Sequence, residues 1–216
     1  SGRPPLAYDF ASLNVGSTVA GLDVPGVRQH ALATRPIADL VERIEAKLDA
    51  GARRLVVVGG GAAGVEMAFC LDARLRSMGR APAITLLTDR ERLLPERPPA
   101  LSERVSAAAA RRGIAVVCGA IATAVEADRV LLAGSEPLPS DLTVWVTGAA
   151  AWPWLARTGL PTDARGFVRV TDTLQVVEFP ALFAAGDCAV LESWPEIPKA
   201  GVYAVREGAT LVENLR

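Results

Sequence analysis

Hydrophobic residues recur along the chain in short continuous runs and in stripes at helical spacing. Residues 55–58 form the clearest run: one leucine and three valines, which predict a buried strand. The apolar residues that follow Gly64 favour a helix that ends near Gly79. A second strand, a second helix and a third strand then alternate, at residues 84–87, about 101–112 and 114–118. This order predicts a βαβαβ unit with right-handed crossovers.

The flanking sequence adds elements on both sides of this unit. Residues 7–15 alternate enough to predict a strand, and Pro36 could begin a helix whose apolar stripe is Ile37, Leu40, Val41, Ile44 and Leu48. Gly51 would end that helix. Downstream, an antiparallel pair of strands is predicted at residues 121–125 and 129–132, followed by a buried strand at 142–146. Two short strands at 167–170 and 181–185 and a last helix at 199–215 complete the chain.

The first strand runs directly into a glycine-rich turn with the spacing Gly59-x-Gly61-x-x-Gly64. Gly59 allows a tight turn, Gly61 lets the backbone approach a pyrophosphate, and Gly64 lets helix and strand pack closely. A helix N-terminus supplies N–H groups and partial positive charge to an anion. The pattern predicts a dinucleotide site formed by Gly59, Gly60, Gly61, Ala62, Ala63 and Gly64. The alternative is a glycine-rich turn without a ligand.

Composition narrows the function class. Half of the 216 residues are hydrophobic and the net charge is −1, so there is no electrostatic argument for a nucleic-acid partner or an anionic membrane surface. No apolar run approaches the roughly 20 residues of a membrane span. Three separated cysteines without a CxxC pair and a single histidine indicate neither a zinc ribbon nor a dithiol centre, and a cytoplasmic protein is expected.

Taken together, four segments resemble the pyridine nucleotide-disulfide oxidoreductase family, and within it the type II NADH dehydrogenases: residues 8–17, 59–68, 144–149 and 182–188. A weaker likeness, to the flavoprotein portion joined to selenide, water dikinase, rests on residues 24–27 and 35–37.

The resemblance implies an α/β fold, with a Rossmann-like three-layer NAD(P)-binding domain at residues 34–149 inserted in a partial FAD-binding domain at residues 1–33 and 150–216. The first FAD-binding glycine motif of the family and its C-terminal interface domain have no counterpart here. The chain is therefore expected to be the central piece of a longer flavoprotein. That protein is expected to form a homodimer or to carry a fused partner domain.

The resemblance also assigns roles to residues. NAD(P)H would lie across the glycine turn, with Glu66 in the first helical turn tuning hydride transfer; a carboxylate favoured there by the helix dipole is the alternative. Thr88 takes the place of the usual ribose-binding acid, so Asp89 would serve with NAD, whereas Arg90 or Arg92 would pair with the 2′-phosphate of NADP. An exposed loop without either role is the remaining alternative.

The other residues implied in cofactor binding are Thr147, Gly148, Gly186, Asp187, Lys199 and Ala200. In the family the carboxylate at Asp187 bonds the ribityl chain of FAD, and the helix that begins after Lys199 faces the flavin; a turn-capping aspartate and a solvated surface lysine are the alternatives. The implied function is an FAD-dependent NAD(P)H oxidoreductase that passes electrons to a small-molecule acceptor. A non-catalytic NAD(P)H-binding or regulatory module is the second hypothesis.

Overall fold

The computed structural model describes residues 4–35 and 37–216, and the chain forms two compact units. One unit is continuous and runs from Val19 to Gly148; the other is split and combines the segment that ends at Thr18 with Ala149–Arg216. The boundary expected after residue 33 thus falls after Thr18, because the strand at Ala31–Ala33 belongs to the sheet of the continuous unit.

The strands, in chain order, are β1 (Ala11–Leu13), β2 (Thr18–Val19), β3 (Ala31–Ala33), β4 (Arg54–Val58), β5 (Ala83–Leu87), β6 (Ala115–Val117), β7 (Ala122–Val125), β8 (Arg129–Leu132), β9 (Ser135–Pro139), β10 (Leu142–Trp145), β11 (Ala149–Ala150), β12 (Val168–Val170), β13 (Gln175–Val176), β14 (Phe179–Ala184) and β15 (Ala189–Leu191). The helices are α1 (Val27–His30), α2 (Leu40–Asp49), α3 (Ala62–Ser77), α4 (Pro99–Arg112) and α5 (Gly201–Asn214). Two 3₁₀ turns lie at Leu155–Arg157 and Gly186–Cys188.

A five-stranded parallel sheet in the order β3-β10-β4-β5-β6 forms the middle layer of the continuous unit. Successive side chains of β4 point to opposite faces, so Leu55 and Val57 pack with α2 and α3, while Val56 and Val58 pack on the other side with β7 and β8. All four are buried, as a central strand covered on both faces requires. The predicted βαβαβ unit and the three-layer α/β fold are confirmed.

The third layer is an antiparallel sheet in the order β7-β8-β9. The predicted pair of strands is present, with a turn between Val125 and Arg129. Strand β9 is not predicted by the sequence, because its Ser-Glu-Pro-Leu-Pro run contains two residues that cannot donate a ladder hydrogen bond. Such a strand is tolerated only at an edge, and β9 pairs with β8 alone.

The helix predicted from Pro36 is shorter than expected. Helix α2 begins at Leu40, and Ile37 and Val41 are exposed, whereas Leu40, Ile44 and Leu48 form the buried stripe at intervals of four residues. Pro36 itself lies outside the described residues.

The split unit contains a mixed sheet in the order β1-β14-β13-β12-β15. Strand β13 runs antiparallel to both neighbours, and the outer pairs β1–β14 and β12–β15 are parallel. Strand β1 has three residues rather than the expected nine, because only Ala11–Leu13 pair with β14. Tyr8 and Phe10, which precede the strand, are exposed. Among the described residues no helix is long and apolar enough to cross a membrane.

Asp141 joins the first residues of β10 and β4. Its Oδ2 accepts the backbone N–H groups of Arg53 and Arg54 at 3.0 and 2.9 Å, and its Oδ1 accepts the Arg54 guanidinium at 2.5 Å. These charge-assisted bonds hold the pKa of the Asp141 carboxyl well below its usual range.

We expect Asp141→Asn to lower the free energy of unfolding at neutral pH. A carboxyl whose pKa is depressed in the folded state stabilises the fold fully above its unfolded pKa, about 3.9, and less as the pH falls through the folded value. The gap between wild type and Asp141→Asn, measured by urea denaturation, should therefore narrow below about pH 4. Asp128→Asn is the control, since Asp128 is 72% exposed and lies 4.0 Å from Arg129. A gap that is constant between pH 7 and pH 3 would contradict this assignment.

Candidate functional site

The turn between β4 and α3 is crowded by backbone from several directions. Gly59 has φ +133°, and a Cβ there would lie 2.2 Å from the carbonyl oxygen of Val146 at the end of β10. A Cβ at Gly64 would lie 1.8 Å from the carbonyl oxygen of Gly59, and one at Gly60 would lie 2.6 Å from Cβ of Thr88. These three glycines are therefore required by packing.

Gly61 differs from the other glycines of the turn. A Cβ at this position would meet no heavy atom within 4 Å, so the space beside the backbone is open. Gly61, Ala62 and Ala63 are exposed, and the carbonyl oxygen of Gly61 accepts the N–H of Val65 at 3.0 Å. The N–H groups of the first turn precede that bond and have no intrahelical acceptor. The turn thus presents backbone donors to an accessible space.

No acidic residue occupies the first turn of α3, and its last turn carries Arg74 and Arg76. Glu66 was expected in the first turn, but α3 begins at Ala62, which puts Glu66 in the second turn. The helix-dipole explanation for this carboxylate therefore fails. Glu66 is exposed and lines a groove of about 650 Å³ between α3 and α4, together with Arg104 and Arg111.

The loop after β5 presents two charged side chains. Thr88 is 3% exposed, and its Oγ1 accepts the N–H of Arg90 at 3.2 Å. Asp89 and Arg90 are more than half exposed and lie 3.6 Å apart. The Arg92 guanidinium donates to the carbonyls of Leu94 and Pro95 at 3.2 and 2.7 Å. Of the two arginines considered for a phosphate, Arg90 is accessible and Arg92 is engaged within its own loop.

Thr147 and Gly148 follow β10 and bond to one residue of the incoming chain. Thr147 Oγ1 donates to the carbonyl of Ala20 at 2.6 Å, and Gly148 accepts the N–H of Ala20 at 2.8 Å. The buried Trp145 donates from Nε1 to the same carbonyl at 2.8 Å. These residues hold the segment that enters the unit, a role that the sequence pattern does not reveal.

In the split unit the predicted residues lie around the 3₁₀ turn at Gly186–Cys188. Gly186 has φ +72°, and its N–H donates to Glu207 Oε2 on α5 at 2.5 Å. Asp187 Oδ2 accepts the hydroxyl of Ser17 at 3.2 Å. Ser17 and Glu207 were not identified from the sequence, because their partners lie 170 and 21 positions away along the chain. Cys188 is buried, and this burial raises the pKa of its thiol.

Lys199 lies partly buried at the start of α5. Its Nζ donates to the carbonyl of Ala189 and lies 4.8 Å from the centroid of the Phe167 ring, a cation–π contact. Burial lowers the pKa of this ammonium, and the nearby Arg165 adds to the effect. The alternative of a solvated surface lysine is therefore wrong. Ala200 precedes α5 with an extended backbone, and its carbonyl accepts the N–H of Tyr203 at 2.9 Å.

The predicted residues thus form two sets. The glycine turn, Glu66, the 88–90 loop and Thr147-Gly148 lie in the continuous unit, and the remaining four lie in the split unit. Among the described residues no group of three or more His, Cys, Asp or Glu side chains could hold a metal ion.

Known proteins share this architecture and sequence. A family model described as pyridine nucleotide-disulphide oxidoreductase matches residues 4–208. The chain is 30% identical over 196 residues to the demethylphylloquinone reductase NdbB of Synechocystis, with 87% of this chain and 48% of the relative covered. It is also 30% identical over 221 residues to the type II NADH:quinone oxidoreductase of Haemophilus influenzae, with coverage of 86% and 50%. The chain spans about half the length of these curated relatives.

A solved structure gives the same result in three dimensions. The crystal structure of an FAD-dependent pyridine nucleotide-disulphide oxidoreductase from Desulfovibrio vulgaris superposes with a TM-score of 0.75 at 26% identity, over 97% of this chain and 54% of the other. The match of the family model extends over nearly the whole of both units, and the two curated relatives match 87% and 86% of this chain. The protein therefore belongs to the pyridine nucleotide-disulphide oxidoreductase family.

Proposed function

We propose that this chain forms the nicotinamide-binding domain and part of the flavin-binding domain of an FAD-dependent NAD(P)H oxidoreductase. The observation that carries the proposal is the turn at Gly59–Gly64, where packing excludes a side chain at Gly59, Gly60 and Gly64 but leaves open space at Gly61. The continuous unit corresponds to the nicotinamide domain, expected at residues 34–149, and the split unit to the partial flavin domain.

The residues of the turn fit a dinucleotide. A pyrophosphate needs backbone donors, room for its oxygens and no competing carboxylate. The N–H groups at the start of α3 supply the donors, Gly61 leaves the room, and the first turn of the helix carries no acid. The turn would hold NAD(P)H by its pyrophosphate.

When bound, the nicotinamide and flavin cofactors would supply the hydride-transfer chemistry. The residues of the chain would bind the nucleotide and orient it. The partial positive charge of the α3 N-terminus would hold the pyrophosphate, and Asp89 would orient the adenosine ribose. Glu66, an exposed carboxylate on α3, remains our candidate for tuning hydride transfer.

We infer NAD rather than NADP as the preferred nucleotide. Asp89 is 62% exposed and follows Thr88, which stands in the place of the usual acid after β5. From this neighbouring position its carboxylate would accept the ribose 2′-hydroxyl and repel a 2′-phosphate. Arg90 lies beside it, so a weaker use of NADPH is expected.

The split unit offers residues to FAD. Asp187 is only partly buried in a turn whose backbone is fixed by the bond from Gly186 to Glu207. The N–H groups at the start of α5 would face the electron-rich side of the flavin, and Lys199 fixes the segment before them by its bond to Ala189.

The electron acceptor is proposed from the relatives. Two of them are named for a quinone-type substrate, so a quinone or a similar small molecule is the proposed acceptor for the whole protein. The described cysteines are free thiols, which supports a reducing compartment such as the cytoplasm. A homodimer or a fused partner domain is proposed as its assembly.

Gly61→Asp should weaken NADH binding by about tenfold or more, because a carboxylate at the N-cap accepts the helix N–H groups and repels the pyrophosphate. The fold should persist, since a Cβ fits at Gly61 and Asp is a favoured N-cap. NADH fluorescence titration measures the affinity. Gly61→Ala adds a side chain without a charge and is the matched control. It should lose less NADH affinity than Gly61→Asp. Unchanged affinity in Gly61→Asp would refute the nucleotide site.

Asp89→Ala should weaken NADH binding severalfold while leaving NADPH binding equal or stronger, because it removes both the ribose acceptor and the repulsion of the 2′-phosphate. The same titration with both nucleotides gives the ratio of the NADH affinity to the NADPH affinity. Glu91→Ala, which removes a neighbouring exposed carboxylate, should leave that ratio unchanged. Equal effects of Asp89→Ala on both nucleotides would contradict the NAD assignment.

FAD added to the chain should bind to the split unit, and Asp187→Ala should weaken that binding, because the variant loses a carboxylate acceptor. Quenching of flavin fluorescence measures it. Asp172→Ala, which removes an exposed acid of the same unit, is the control. NADH binding without FAD binding would instead favour the non-catalytic NAD(P)H-binding module.

A further inference from the structure

A second cavity lies in the continuous unit, away from the glycine turn. It measures about 480 Å³ and is formed by α2, by the end of α1, by Ala127 and by the residues at the start of β3 and β10. Those strands are parallel to β4, so their amino ends lie at one edge of the sheet and the Gly59–Gly64 turn lies at the other. Nothing in the proposed function uses this cavity. Its volume is within the range that holds small organic ligands.

Two exposed cations line the cavity, and neither has an ion-pair partner in the part of the chain that the structure describes. Arg43 and Lys47 lie four residues apart on α2, so their side chains are neighbours on one helix face. Like charges at this spacing repel each other. The arrangement concentrates positive charge at the wall of the cavity.

The acidic residue of the wall does not neutralise these cations. Asp141 has both oxygens engaged with Arg54 and with two backbone N–H groups at the start of β4. Its charge is therefore balanced by Arg54, which does not line the cavity. The two α2 cations remain available to an anion.

The cavity also contains two buried hydroxyl groups. Ser140 and Thr143 are 2% and 3% exposed, and their oxygens lie 2.9 Å apart. Only one of the two hydroxyl protons can occupy the hydrogen bond between them. The second proton is left to donate to another acceptor, and both residues border the cavity.

The rest of the wall carries the polar side chains of Gln29 and His30 and a set of mostly small apolar residues. Ala46 and Ala50 follow the same face of α2, and Ala31 and Leu142 lie at the strand starts. Small side chains leave the space that larger ones would fill. A ligand with a short carbon skeleton would contact this wall while its charged group faces Arg43 and Lys47.

We propose that this cavity binds a small organic anion. Its carboxylate or phosphate group is held by Arg43 and Lys47 and accepts the free hydroxyl proton of the Ser140–Thr143 pair. Its carbon skeleton packs on the alanines of α2. The site is separate from the nucleotide turn, and binding to it does not require the proposed oxidoreductase function.

The test uses two fluorinated probes, 4-fluorobenzoate and 4-fluorophenyl phosphate. Binding of each probe to the full chain at low salt is measured by its ¹⁹F relaxation. The two probes separate a carboxylate preference from a phosphate preference. We expect at least one to bind, and Arg43→Gln/Lys47→Gln to weaken it by about tenfold. Thr143→Val keeps the side-chain shape and should weaken binding by a smaller factor, with circular dichroism as the check that each variant is folded.

Two matched variants decide whether the effect is local. Arg104→Gln/Arg111→Gln removes the same charge from exposed positions on α4 and should leave probe binding unchanged. Gly61→Asp should also leave it unchanged, which separates this site from the nucleotide turn. The proposal is overturned if neither probe binds, if the α4 double variant weakens binding as much as the α2 variant, or if Gly61→Asp abolishes it.

Discussion

The carbonyl oxygen of Gly59 lies where the Cβ of any residue but glycine would stand at position 64. This contact fixes how closely α3 approaches the end of β4, and it therefore fixes the direction in which the first N–H groups of α3 point. The same turn is confined from the sheet side by Val146 at the end of β10 and by Thr88 at the end of β5. The geometry of the glycine turn thus depends on three neighbouring strands of one parallel sheet.

The sheet can hold the turn in this way because its central strand is covered on both faces. Leu55 and Val57 pack against the helical layer, and Val56 and Val58 against the antiparallel layer. Burial of all four side chains fixes the register of β4 between β10 and β5, because a shift of one residue would exchange its two faces. Position along the strand then sets which residues reach the carboxyl edge, where the glycine turn lies, and which reach the amino edge, where the cavity beside α2 opens.

The split unit is organised around a shorter structure, the turn at Gly186–Cys188. Its glycine adopts a positive φ and is bonded to Glu207, and the neighbouring Asp187 is bonded to Ser17, so segments from both ends of the chain hold one turn. Lys199 adds a third connection, between β15 and the start of α5. Here polar side chains do what backbone packing does at the glycine turn: they give a short loop one conformation.

The sequence by itself determined the elements whose signal is local. The valine run, the glycine spacing and the stripe Leu40, Ile44 and Leu48 specified the central strand, the turn and one face of α2, because each pattern repeats within a few residues. The family resemblance rested on the same local motifs. Tertiary structure alone decided which side chains meet across long separations: Ser17 with Asp187, Asp141 with Arg54, and Ala20 with Thr147. It also ended β1 early, moved Glu66 to the second turn of its helix and made a strand of Ser135–Pro139, since these outcomes depend on neighbours that a linear pattern does not contain.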